Sequence, residues 1–114
     1  MDLPESKNKK SFFEWQHEVD KTVNQLGGYW PPLGMLAAAV EEMGEVARVM
    51  NRIEGVKNHK KSETPQMLGE ELADTIYALL CIANSYHINM DNEMDRILNK
   101  FLTRDANRFV SNGS

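Results

Sequence analysis

The chain has 114 residues, enough for one domain with a modest core. Seventeen acids against thirteen bases leave a net charge of −4, a field that repels nucleic acid, and no apolar run approaches the ~18 residues of a membrane span. One cysteine, Cys81, excludes an intrachain disulfide, and with no signal-peptide shape at the start a cytoplasmic protein is expected.

The opening "MDLPESKNKK" reads as a solvated, frayed terminus. The first helix is predicted over about 11–26. Ser11 precedes "FFEWQHEV" with Glu14 three residues on, a capping box. Phe12, Trp15, Val19, Val23 and Leu26 form its apolar stripe, and Gly27-Gly28 end it. Prolines in "YWPPL" suit the first turn of a second helix over about 32–54, which stops at Gly55. Its stripe reads Val40, Met43, Val46, Ala47 and Met50. The polar, aperiodic "GVKNHKKSETPQ" is a loop. A third helix starts near Thr64-Pro65, carries Met67, Leu68, Leu72, Ile76, Leu79, Leu80 and Ala83, and ends around "NSYHIN". Asp91 has the form of an N-cap for a fourth, with Met94, Ile97, Leu98, Phe101 and Leu102 as its stripe. No strand alternation or repeat is present. The expectation is one all-α, four-helix bundle-like domain over 1–114, with about 1–10 and 110–114 flexible.

Acids crowd two of these helices. In "AVEEMGEVARVMNR", Glu41, Glu42 and Glu45 share a turn and a half, although like charges three and four apart repel. "GEELADTIYALL" repeats the arrangement with Glu71 and Asp74. At about 100° per residue, Glu42 and Glu45 lie on one edge, as do Glu71 and Asp74. If helices two and three pack antiparallel, four carboxylates converge. Such a cluster needs a partner, and a hard divalent cation with oxygen preference supplies one. Phosphates of a substrate commonly complete that coordination. Glu-rich turns are also ordinary solvated faces. The second cluster at matching spacing, and an aspartate within the apolar "LADTIYALL", weigh toward a site.

"EEMGE" followed by "ELAD" resembles the EExxE…ExxD pattern of the MazG-like nucleotide pyrophosphohydrolases, within the all-α NTP pyrophosphatase superfamily. "GGYWPPLGMLAAAVEEMGEVARVMNRIEG", "GEELADTIYALLCIANSYHINM" and "ILNKFLTRDANRF" extend the likeness to small single-domain members of the YpjD type, over about residues 11–109. The resemblance implies hydrolysis of a nucleoside triphosphate to monophosphate and pyrophosphate, with Mg²⁺, or Mn²⁺ in its place, and a role in clearing non-standard nucleotides. By position, Glu42, Glu45, Glu71 and Asp74 become the metal ligands, and Glu41 an outer group or base for the attacking water. The same three acids, Glu41, Glu42 and Glu45, are the catalytic candidates. Lys100 and Arg104 match the family's basic KxxxR row and would reach the phosphates. Arg108 continues that row, although a late basic residue also suits the helix dipole. The resemblance further implies a homodimer or homotetramer. Independently, Phe12, Phe13 and Trp15 cluster on a helix of a chain too small to hide them readily.

Trp15, Gln16, Tyr29 and Trp30 are candidates for stacking and an amide contact to the base. Trp15 sits at stripe spacing and reads as core; Trp30, outside any stripe, is the better stacking residue, and Asn84 is a polar residue in an apolar setting. Glu14 and His17 form Glu-x-x-His, but the second such motif of a di-iron site is missing: Val56 and Asn84 precede His59 and His87 by three. Two alternatives stand: a phosphoribosyl-ATP pyrophosphohydrolase-like enzyme, or a non-catalytic helical dimerisation module.

Overall fold

The computed structural model describes residues 1–55 and 64–113, the side chains of 107–113 excepted. His59 lies outside the described residues, and so does the side chain of Arg108. The described residues form four helices and no strand: α1 (Phe12–Gln25), α2 (Pro32–Ile53), α3 (Pro65–Ser85) and α4 (Met90–Gly113).

The local signals explain most boundaries. Ser11 and Glu14 make the reciprocal capping box at the start of α1. Gly27 and Gly28, at φ 111° and 100°, turn the chain away from α1 through a backbone region that side chains resist. Thr64 caps α3 by accepting from the Met67 N–H. At α4 the expectation fails. Asn89, not Asp91, accepts from the first amides, those of Asp91 and Asn92. Asp91 reaches across to α1, where its two oxygens accept from the Phe12 and Phe13 N–H groups at 3.0 and 3.2 Å. Unpaired amides and positive dipole at a helix start explain that attraction. One carboxylate thus pins the start of α1 to the start of α4.

The dominant packing is α2 on α3; α1 lies on α3, and α4 makes its principal contact with α1. The buried face of α2 is Met35, Ala39, Val46 and Val49, a seam of alternating fours and threes in which Glu42 takes the middle place. Of the predicted stripe only Val46 is buried; Val40, Met43 and Met50 face outward. Both sets have helical period, and contact with α3 selects the seam. On α3, Glu71 precedes the buried Thr75 and Ala78 at the same spacing. A separate small core joins Val19 and Val23 of α1 to Leu80 of α3. Trp15 is not core: it is 41% exposed, with the Lys10 ammonium 4.9 Å from its ring centre.

The chain is extended for its length. Its radius of gyration is 17.8 Å, against roughly 13 Å for a compact domain of this size. Leu72, Ile76 and Leu79 on α3, and Leu98, Phe101 and Leu102 on α4, are exposed alongside the outward row of α2.

Candidate metal centre

Residues early in α2 share a cavity wall with residues late in α3, Met35 with Cys81, while Glu42 meets Asp74 further along. The two helices therefore run antiparallel, and the seam carries Glu42 and Glu71 towards each other. Glu42, Glu71 and Asp74 each offer a carboxylate oxygen, all within 4.8 Å of one another. Glu42 and Glu71 are half-buried and Asp74 is exposed. Desolvation, then the charges of Asp74, Glu45 and Glu42, raise the Glu71 carboxyl above its ordinary range, and Arg48 opposes them. Crowded anions of this kind suit a hard cation: the donor set is all oxygen, which favours Mg²⁺, Mn²⁺ or Ca²⁺ over softer metals.

The fourth expected ligand stands apart. Glu45 is near enough to act on Glu71 electrostatically, but its carboxylate is bonded to the Arg48 Nε at 2.8 Å, one turn along the same helix. A guanidinium three residues away competes directly for that carboxylate. The i, i+3 relation of Glu45 and Arg48 is visible in the sequence and was the available signal for Arg48. Glu41, about 100° round the helix from Glu42, is exposed. Lys100 and Arg104 are exposed on α4, where the Arg104 guanidinium lies 4.7 Å from the Phe101 ring centre.

Beyond the acids, Gln16 is 7% exposed and all its amide atoms bond to protein. Its Nε2 donates to Asn84 Oδ1 and the Ile88 carbonyl, and its Oε1 accepts from the Met90 N–H. Asn84 returns a bond to the Gln16 carbonyl and donates to the Tyr29 hydroxyl, which itself donates to Asp20. Burial, reinforced by the Asp20 bond, pushes the Tyr29 phenol up to about 12. The amides of Gln16 and Asn84 are thus occupied in joining α1, α3 and α4, and neither is free to read a base.

Residues 31–109 match the MazG nucleotide pyrophosphohydrolase domain. The chain is 40% identical to YpjD of Bacillus subtilis strain 168, an uncharacterised protein, over 102 residues that cover 89% of this chain and 92% of that one. The crystal structure of YPJD from Bacillus subtilis superposes with a TM-score of 0.76 at 38% identity, covering 82% of this chain and 97% of its own. That of the Bacillus-conserved MazG protein, a nucleotide pyrophosphohydrolase, gives 0.70 at 35%, covering 82% and 90%. An all-α pair of helices with converging acids is the class that fold and site define. The chain belongs to the MazG nucleotide pyrophosphohydrolase family, and its activity is that of a pyrophosphohydrolase.

Proposed function

We propose that the protein hydrolyses nucleoside triphosphates, ribo or deoxy, to the monophosphate and pyrophosphate, with Mg²⁺ or Mn²⁺ as its cation. The carrying observation is the meeting of Glu42, Glu71 and Asp74 across the α2–α3 seam. A divalent cation held there supplies charge neutralisation for the triphosphate and a more acidic water. Glu42, Glu71 and Asp74 hold the cation; Glu45 joins them by leaving Arg48, a rotamer change of a half-exposed pair that water screens. Glu41, outside that ligand set, is the acid left to accept a proton from the attacking water. Phosphoryl transfer depends mainly on position and charge, so no covalent nucleophile is required.

Lys100 and Arg104 bind the phosphates, with Arg108 continuing the row. They do so from a second copy of the chain, in a homodimer or homotetramer. The support is threefold: α4 packs chiefly on α1, the chain is extended, and apolar rows on α2, α3 and α4 are exposed. Trp30 stacks on the base, and Asn84 serves it indirectly by holding Tyr29.

Product analysis tests the reading. Purified protein is incubated with a panel of NTPs and dNTPs, with Mg²⁺ and with EDTA. Monophosphate and pyrophosphate should appear in equal amounts, only with metal. Orthophosphate as the first product, or turnover indifferent to EDTA, would refute it.

A further inference from the structure

The two helices of the seam carry an unbalanced set of charges. Their sequences hold six acids, Glu41, Glu42, Glu45, Glu70, Glu71 and Asp74, against two bases, Arg48 and Arg52. Both bases lie on α2, at steps of three and four that prolong the row of Glu41 and Glu45. No base lies on α3. Three of the acids bring oxygens within 4.8 Å of one another. A nearby positive charge lessens such repulsion, whether it belongs to a bound ion or to a side chain.

Arg48 is the side chain so placed. Its Nε donates to Glu45 Oε2 at 2.8 Å. Its charge also acts on Glu71 of the facing helix, against the carboxylates around that residue. A pair standing out on the solvent face would be screened from the facing helix by salt and water; this one is felt there. The Arg48 side chain is 35% exposed and that of Glu45 48%, so the guanidinium has room to swing outward. A guanidinium and a divalent cation on the same carboxylate repel each other. We infer that Arg48 is a built-in counter-ion of the carboxylate cluster: its guanidinium holds Glu45 until a divalent cation takes that carboxylate, so one positive charge is exchanged for another.

The inference rests on the metal centre of the pyrophosphohydrolase reading and adds to it the residue that tunes cation affinity. Its sign is diagnostic. An arginine that only supports the fold helps every ligand of the folded state, and its loss weakens binding or leaves it alone. A counter-ion competes, and its loss tightens binding. An exposed unit pair is worth up to about five-fold in an equilibrium constant, and a doubly charged ion feels the guanidinium twice over, so the gain should be about 10-fold.

Calorimetry with Mn²⁺ alone, a cation suited to oxygen donors and added without nucleotide, reads this directly. Arg48→Gln should bind Mn²⁺ about 10-fold tighter than wild type, and Arg48→Lys, which keeps the charge without the planar fork, should fall between the two. With Glu45→Gln in the background, the carboxylate that draws the guanidinium in is gone, and removing Arg48 should change the affinity by less than about two-fold. Melting without metal should fall in Arg48→Gln, and saturating Mn²⁺ should restore it toward the wild-type value. Unchanged or weaker Mn²⁺ binding in Arg48→Gln overturns the exchange. So does an equal gain with Glu45 absent, which makes Arg48 a background charge, and so does a melting deficit of the same size with and without Mn²⁺, which makes it a purely structural residue. Each of these results leaves the pyrophosphohydrolase standing. Wild-type protein that binds no Mn²⁺ overturns the exchange and the proposed metal centre together.

Discussion

Replacing Gln16 with leucine removes a polar junction while keeping its volume. The side chain makes three bonds, at 3.0, 2.7 and 3.0 Å, to Asn84, Ile88 and Met90. Each net bond is worth about 1 kcal/mol, and partners left without water cost more. The loss for Gln16→Leu is therefore about 3 kcal/mol. A domain of this length shifts by roughly 4–5 °C per kcal/mol, so the melting temperature should fall by about 12–15 °C. Thermal melts must hold protein concentration constant, since any assembly adds to apparent stability. His17→Leu, at the exposed neighbouring position, should stay within about 2 °C. Hydrogen exchange at the Met90 amide should quicken in Gln16→Leu only. Equal melting of the two variants would refute the argument that this junction joins α1 to α3 and α4.

Three further outcomes are expected. Asp74→Asn should abolish the rise in melting temperature produced by Mg²⁺ and, like Glu45→Gln, abolish turnover, with helical circular dichroism retained; full activity in both would end the metal-site assignment. Lys100→Ala should raise KM for the triphosphate about 10-fold with a smaller change in kcat, a factor consistent with one lost charge-assisted contact of about 1.5 kcal/mol; unchanged kinetics would remove Lys100 from the site. In an alkaline absorbance titration Tyr29 should ionise last, near its raised value of about 12 against the ordinary 10.0. The folded state retains that proton longer than the unfolded chain, so the contribution to stability is complete below pH 10 and is lost as pH rises through 12. Tyr29→Phe should delete the late component, and a titration without one would contradict the described network.

The elements were legible where their cause is local. Ser11 with Glu14, Thr64 with Pro65, and the paired glycines act within a few residues, and the helices begin and end there. Asp91 misleads because its partners, Phe12 and Phe13, are nearly eighty positions away, a relation no short pattern contains. On α2 two apolar rows have equal helical claim, and only the partner helix decides between them. The acids were legible because i, i+3 spacing on two helices survives any detail of packing. Which acids converge was not: Glu45 turns on a neighbouring guanidinium.

The seam between α2 and α3 has a cost in its middle. At the places held by Glu42 and Glu71 a bundle built for stability alone would carry leucines. Instead three carboxylates offer oxygens within 4.8 Å of one another where the helices pack, and on the proposed reading a cation that relieved that crowding would be a ligand of the folded state only. Stability would then rise with metal by mass action. A cell short of the cation would lose the protein to unfolding and proteolysis as well as losing its turnover, so abundance and activity would follow one supply.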